Sequence, residues 1–504
     1  MAQDDPPPDL AAARNAYDRR EFARALTLLD ALPAGQGPSA EALNLRGNVH
    51  LACEEPARAR RCYEAALAAD PDFAKARFNL GLACLQDGDA TAAGTHLLAS
   101  LEQSQGTSED HLLAGNVLHA TGRLKEAMDQ WSRAAEIDPS QFAAWINLGS
   151  HSRAAGRLPE AIAALSQAVS IAPGVAQAHL ELGIALREAG ELAPAVESLR
   201  TASELDPAGI APTLHLADAL RLVDRSPEAM LLLDALASQH PGEGAIAKLQ
   251  GLLALQSGQR EAAAAHYGRA AELLPGDEEV RHLRDAAEGR RVDTAPAGYV
   301  RALFDDFAGR FDAELVDGLR YAVPEVLASE LLRWLPAEGT GKIVDLGCGT
   351  GLVGEALRGS GLRLTGVDLS PRMLEKARER GLYEELVCAD LLGYLADAIP
   401  QSFVAATAAD VLIYEGRIEQ VLSGCMRVLV RGGIVALSIE THDEPDAGIT
   451  VLRPSGRFAH HADTVVARAR VLGFEVLQQH TLALRMDQGR PLAGAVLVFR
   501  AGGR

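Results

Sequence analysis

"KIVDLGCGTGLVGEAL" runs from Lys342 to Leu357. An apolar, β-branched run ends in an acid, a glycine-rich turn follows, and a helical pattern begins. Gly347, Gly349 and Gly351 therefore fall between a strand and a helix. Glycines there let a ligand approach the backbone, and the helix N-terminus offers free N–H groups. The turn suits a dinucleotide, a phosphate, or a cofactor with no phosphate. A dinucleotide site favours G-x-G-x-x-G. Leu352 occupies the third glycine position, so the spacing is G-x-G-x-G. Asp345, two residues before the first glycine, puts a negative charge where a pyrophosphate would sit. That placement is poor for phosphate and good for a cationic amine.

The neighbouring segments extend the pattern. Strands are expected at 342–346, 363–367, 385–389, 403–407, 433–439, 474–484 and 493–500, with helices between them. This alternation indicates a mostly parallel sheet in an α/β domain. The second strand ends in "GVDLS", where Asp368 can accept both hydroxyls of a ribose. The third ends in "CADLL", where Asp390, flanked by Ala389 and Leu391, can meet an adenine edge and ring face. An amine, a ribose and an adenine without phosphate describe S-adenosylmethionine.

On these residues, Asp345, Gly347, Gly349, Gly351, Asp368 and Asp390, together with "LVRGGIVAL" before the fifth strand, residues 299–504 resemble the class I methyltransferases. The resemblance implies a Rossmann-like seven-stranded domain with an antiparallel last strand, and S-adenosylmethionine as cofactor. It implies that Cys348, Leu369 and Met373 also line the cofactor site. Cys348 reads as a small filler in the turn. In "YVRALFDDFAGRFD", Tyr299, Leu303, Phe307 and Phe311 recur at steps of four and form one helix face. The face suits core packing; the resemblance implies a lid over the cofactor, with Tyr299 and Phe307 as contacts.

Methyl transfer is an in-line displacement, so alignment matters more than a dedicated base. Asp410 follows the fourth strand in "AADVLIY" and can orient cofactor or acceptor, or cap a helix. Tyr414 and His460 are the further catalytic candidates, His460 as a base. Glu440, His442, Arg453 and Arg457 are candidates for holding the substrate, the two arginines for an acidic group.

The region in front reads differently. Gly47, Gly81, Gly115, Gly149, Gly183 and Gly251 recur at intervals of 34, with one double step filled by Ala217. Ala25, Ala59, Ala93, Ala127, Ala161, Ala195, Ala229 and Ala263 keep the same interval. So do Pro71, Pro139, Pro173, Pro207, Pro241 and Pro275, with Gln105 breaking the row. The small residues let two helices approach, and each proline stops a helix. "AAWINLGSHSRAAGRLPEAIAALSQAVSIAP" (143–173) resembles the tetratricopeptide repeat, and eight such units cover residues 6–277, the first a degenerate cap. The resemblance implies an all-α superhelix whose groove holds a protein or peptide. Asn44, Asn48, Lys75, Asn79, Asn116, Asn147, Arg153, Arg187 and Arg221 are its candidate contacts. A capping helix and linker are expected at 278–298. Repeats followed by "YVRALFDDFAGRFDAEL" and "RPSGRFAH" resemble a bacterial group of repeat-containing methyltransferases.

Bulk properties narrow the partners. The net charge is −20, with −6 carried from Val292 onward and −14 before it, so no basic footprint for nucleic acid exists in either part. The six cysteines form no C-x-x-C pair, and no His/Cys cluster has metal-ligand spacing, so no metal is expected. Free thiols point to a reducing, cytoplasmic setting. The acidic, proline-rich start "MAQDDPPPDL" is no secretory signal, and no apolar run reaches 18 residues. Three functions stay open: a methyltransferase whose repeats recruit a protein substrate, a small-molecule methyltransferase whose repeats serve assembly, and a non-catalytic repeat scaffold.

Overall fold

The structure, a computed structural model, describes residues 9–32, 39–309, 311–312, 321–336, 341–444, 448–487 and 490–502. Residues 6–8 of the expected array, Arg310 of the stretch before the sheet, and residues 503–504 lie outside them. The chain divides into two compact units, Met1–Val223 and Asp224–Arg504. The division falls between the helices Ile210–Leu222 and Ser226–Gln239, which the 34-residue period places in one repeat.

In the first unit, antiparallel helix pairs such as Phe142–Ala154 and Leu158–Ile171 repeat along the chain. The small-residue ladders explain the pairing. All eight ladder alanines, in both units, have no exposed surface. The ladder glycines meet the following helix: a Cβ at Gly149 would lie 2.4 Å from Leu165 Cγ. Gly149→Val is therefore expected to lower stability by about 2–3 kcal/mol through overpacking. Gly174→Ala, with nothing within 4 Å of the added Cβ, is the neutral control. Thermal unfolding of both variants checks this, and equal melting points would refute it.

The candidate groove residues are largely engaged with one another. Asn79 Nδ2 donates to Asn44 Oδ1 at 2.9 Å and to Asn48 Oδ1 at 3.0 Å. Asn116 Oδ1 accepts from Asn147 Nδ2 at 2.8 Å and from Trp131 Nε1 at 3.0 Å. Arg153 pairs with Glu188 and Glu181, and both Arg187 and Arg221 pair with Asp218. These polar rows link successive repeats, a role the sequence reading did not give them.

The second unit opens with the helices Ser226–Gln239, Gly244–Gln256, Arg260–Leu273 and Glu278–Glu288. Its sheet uses β1 (Lys342–Leu346), β2 (Arg363–Asp368), β3 (Tyr383–Cys388), β4 (Phe403–Ala408), β5 (Leu429–Glu440), β8 (Phe474–Asp487) and β9 (Arg490–Ala501). The order is β3-β2-β1-β4-β5-β9-β8. All neighbours through β5 are parallel, and β9 runs antiparallel to both β5 and β8. All seven expected strands are present: β1 has the expected bounds, β3 starts two residues earlier and ends one residue earlier, and the other five are extended by up to four residues at an end. The ribbon β6 (Thr450–Leu452) and β7 (Phe458–His460) was not expected. The chain leaves β1 toward one side of the sheet and returns through β4 to the other. Ligands of such sheets bind at that reversal, beyond the carboxyl ends of the strands.

Two apolar clusters cover the faces. Ile343, Ala405, Ile434 and Ala436 point to one, with Tyr321, Leu327, Leu331 and Val496. Val344, Ala406, Val435 and Leu437 point to the other. By the period of two, Asp345, Thr407, Ser438 and Glu440 share the first face. Register confirms the alignment, with Asp345 beside Thr407 and Thr407 beside Ala436.

Candidate active site

The glycine turn is shaped by conformation and by contact. Gly347, Gly349 and Gly351 have φ of 68°, 53° and 93°, a region that favours glycine. At Gly347 a Cβ would also lie 2.4 Å from Val411 Cγ2, so the turn after β1 touches the segment after β4 across the reversal. Cys348 is buried, and its Sγ would sit 2.8 Å from a Cβ on Gly366 of β2. It fills space, and burial pushes its thiol up, away from reactivity.

Asp345 is 1% exposed. Its Oδ2 accepts from the Tyr383 hydroxyl at 2.7 Å, and that hydroxyl accepts from Gly354 N–H at 3.2 Å. Its Oδ1 is buried with no hydrogen-bond partner among the described residues. Burial pushes the carboxyl up to about 7, against the pull of Tyr383, and Asp368 adds to the rise. An ammonium group at Oδ1 would satisfy the oxygen and favour the charged form. Tyr383 is a positioning residue the sequence reading missed; on an edge strand, nothing in its local pattern marked it.

Asp368 Oδ2 accepts from Gly349 N–H and Oδ1 from Ser370 N–H, each at 2.9 Å. Burial raises its carboxyl despite these bonds. Asp390 caps the helix Leu391–Asp397, accepting from Gly393 N–H at 2.8 Å. Ala389 N–H donates to the Asp368 carbonyl at 3.0 Å, so the ends of β2 and β3 are held together. Leu391 is partly buried, and Met373 is 1% exposed on the inner face of the helix Pro371–Arg380. The Leu369 carbonyl accepts from Arg301 Nε at 3.3 Å.

Arg301 belongs to the helix Ala297–Phe307, which is tied to the loop after β2, while Asp312 beyond the helix reaches the glycine turn. Asp305 Oδ1 accepts from Ser370 Oγ at 2.6 Å. Asp312 accepts from Thr350 Oγ1 of the glycine turn and from Arg380. The two aromatic contacts expected here separate. Phe307 lies against Phe311, with ring centres 5.3 Å apart, on the first face of the sheet. The Tyr299 ring lies 5.5 Å from that of His282, in a cluster with Ala286, Ala295 and Phe458. It serves the junction with the helix Glu278–Glu288. Phe304, stacked edge-on to Tyr414 at 5.5 Å, was not singled out in the sequence.

Beyond β4 and β5 lies a buried ionic network. Asp410 has φ of 52°, a left-handed conformation that is costly outside glycine. Its N–H donates to Ser438 Oγ at 2.8 Å, and its carboxylate takes Ser438 Oγ at 3.0 Å and Arg485. It caps no helix, which corrects that alternative. Arg485 Nη2 also donates to Glu440 Oε1 at 3.0 Å, where Arg457 Nε lies 3.0 Å away. Burial raises the Asp410 and Glu440 carboxyls, and the arginines oppose the rise. Tyr414 is partly buried, its phenol pushed up by desolvation. Arg485 and Ser438 were missed, although "LSIE" placed two polar residues on one face of an apolar strand.

His460 is fully buried; Nε2 is 3.0 Å from the Leu412 carbonyl, and Nδ1 is 3.0 Å from Thr450 Oγ1. The carbonyl fixes the proton on Nε2 and Thr450 occupies Nδ1, so no lone pair is open for a base. Burial lowers it to about 4. His442 Nδ1 accepts from Glu444 N–H, and Arg453 Nη2 donates to the Thr441 carbonyl at 2.6 Å. Arg453 and Arg457 are the ends of the β6–β7 turn, joined by Arg453 N–H to the Arg457 carbonyl at 2.9 Å. His282 Nε2 lies 2.8 Å from the Gly456 carbonyl of this turn. A cleft of about 740 Å³ opens elsewhere, beside Leu395, Pro400, Arg427 and Leu429 before β4 and at the start of β5, away from these groups.

Comparison with known proteins agrees with both halves. Residues 344–437 match the methyltransferase-domain family, and residues 9–252 match the C-terminal domain of cilia and flagella-associated protein 70, a repeat family. Trans-aconitate 2-methyltransferase of Paracidovorax citrulli is 30% identical over 29% of this chain and 58% of that one. Human methyltransferase-like protein 27 is 33% identical over 28% of this chain and 57% of its own. The ubiquinone biosynthesis O-methyltransferase of Thiobacillus denitrificans is 36% identical over 21% and 49%. The match spans about half the length of these relatives. Among solved structures, YrrB, a tetratricopeptide protein with an unusual peptide-binding site, aligns at 20% identity and a TM-score of 0.34, over 40% of this chain and 97% of that one. The chain thus joins a tetratricopeptide-like repeat region to a class I methyltransferase domain, a class whose methyl donor is S-adenosylmethionine.

Proposed function

We propose that this protein transfers a methyl group from S-adenosylmethionine, and that its repeats recruit the protein or peptide that carries the acceptor. One observation supports the site above all. Within 299–502, the buried side-chain oxygens without a hydrogen-bond partner among the described residues are Asp345 Oδ1, Thr407 Oγ1 and Glu440 Oε2. Buried polar atoms are nearly always paired. All three orphans lie on one face, near the carboxyl ends of β1, β4 and β5, where the fold places ligands.

The residues fit the donor. Asp345 Oδ1 would hold its ammonium, Asp368 its ribose hydroxyls, and the Asp390 segment its adenine. The bound donor supplies an electrophilic methyl group on a sulfonium. Arg457 and Arg485 fix the charges beside the acceptor. The helix Ala297–Phe307, anchored through Arg301 and Asp305, shields the cleft from water. No described helix is long and apolar enough to cross a membrane, and a cytoplasmic setting fits the free thiols. A small-molecule acceptor, with the repeats used for assembly, is the second reading. Its support is the kind of relative matched, which includes trans-aconitate and ubiquinone-pathway enzymes by name.

Calorimetry with S-adenosylmethionine, then incubation of the full chain with methyl-labelled cofactor and a lysate of its source cells, tests both. Binding followed by label in protein bands is the expected result. Label confined to small molecules would leave only the second reading, and absence of binding would leave the non-catalytic scaffold.

A further inference from the structure

Two carboxylates share the network beyond β4 and β5, and they are satisfied differently. Asp410 has both oxygens engaged, Oδ1 by Ser438 Oγ and Oδ2 by Arg485. Glu440 is 0% exposed. Its Oε1 accepts from Arg485 Nη2 at 3.0 Å and forms an ion pair with Arg457 Nε at 3.0 Å, whereas Oε2 has no hydrogen-bond partner among the described residues. Two guanidinium groups lie beside the charge and oppose the rise that burial causes, while one oxygen lacks a donor. An unmade bond of this kind carries the full desolvation cost of the lone pair. The oxygen belongs to the face that carries Asp345 and Thr407, one strand beyond β4. His460, the alternative base, has no open nitrogen.

We propose that Glu440 Oε2 takes the proton of the methyl acceptor, whose reacting atom is therefore a proton-bearing oxygen or nitrogen and not a carboxylate. This rests on the reading of the cleft as a methyl-transfer site. A carboxylate acceptor has no hydrogen to offer Oε2 and would set a second negative charge against it. In the step, a lone pair of the acceptor atom forms the new bond to the methyl carbon. The electron pair of the carbon–sulfur bond stays on sulfur, which becomes a neutral thioether. The acceptor's proton passes to Oε2, leaving a neutral carboxyl beside Arg457 and Arg485. Burial, which raises this carboxyl, makes it a stronger base than an exposed glutamate.

The test uses the full chain with methyl-labelled S-adenosylmethionine and source-cell lysate, and compares Glu440→Gln and Glu440→Asp with the parent. The glutamine keeps an oxygen for the two arginines and loses the base. The aspartate keeps the charge and withdraws the oxygen by one methylene. The expected result is threefold. The transferred label survives mild alkali, the glutamine variant binds cofactor as the parent does by calorimetry, and its transfer is about 100-fold slower. Alkali-labile label, the mark of a methyl ester, overturns the proposal, as does transfer by the glutamine variant at the parental rate. If that variant fails to bind cofactor, the aspartate variant decides: cofactor binding with slowed transfer supports the proposal, and binding with undiminished transfer overturns it. A parent chain that binds no cofactor overturns the methyl-transfer reading itself, an outcome visible before any variant is compared.

Discussion

Asp345→Asn is expected to weaken S-adenosylmethionine binding by about 100-fold at pH 8 while the domain stays folded, close to 3 kcal/mol for one charge-assisted contact. The asparagine can still accept from the Tyr383 hydroxyl, so the turn should keep its shape. What is lost is the negative charge behind Oδ1. Two pH dependences follow from a carboxyl raised to about 7 in the empty site. Cofactor affinity of the parent should fall about tenfold per pH unit below 7, because the ammonium needs the ionised acid. The stability of the cofactor-free parent should move the other way. A folded-state value above the unfolded one means that ionisation opposes folding. Stability is therefore lost as pH rises from about 4 to 7 and is level above. The asparagine variant should show neither trend. Calorimetry and thermal unfolding across this range measure both, and an asparagine variant that binds as tightly as the parent would remove Asp345 from the site.

Arg485→Met should be the most destabilising single change in the sheet domain. Arg485 is 9% exposed and bridges two acids, Asp410 and Glu440, whose side chains are 10% and 1% exposed. Methionine fills much of the volume but leaves the second partner of both carboxylates unmatched. Breaking a buried pair in this way costs about 3–5 kcal/mol. In a domain of this size that lowers Tm by about 10 °C. The pH dependence fixes the cause. Without Arg485 both carboxyls rise further, so the deficit should be largest above neutrality and shrink as they protonate toward pH 5. A deficit unchanged between pH 5 and 8 would assign the loss to packing alone. The same variant tests Arg457, which alone would then hold the Glu440 charge.

The parts legible in the sequence were those set by short-range patterning. The 34-residue ladders specify small residues where helices touch, and the eight alanines that keep the period are all fully buried. The glycine spacing after β1 matches three positive φ values, and each strand read from its β-branched run is present. Tyr383 and Arg485 were not legible. Each acts on a partner far along the chain, Tyr383 on Asp345 and Arg485 on Asp410, and each lies in a segment whose local composition is ordinary. The Pro-Ser-Gly of "RPSGRF" did carry a turn signal, and reading it as a ribbon would have placed His460 inside the β6–β7 pair.

By itself the sequence determined that helical repeats precede an α/β domain, and it marked an acid, three glycines and two further acids as candidates for one cofactor type. These depend on period and on residues near one another in the chain. Only the tertiary structure decided which acids are left open. Asp345, Thr407 and Glu440 come from three strands that the order β1-β4-β5 makes neighbours. Whether a buried oxygen has a donor depends on side chains brought from distant segments, and no local pattern encodes it. The same holds for Asn44, Asn79, Asn116 and Asn147. The sequence put them on inner helices, and packing at the repeat interval turned them toward one another.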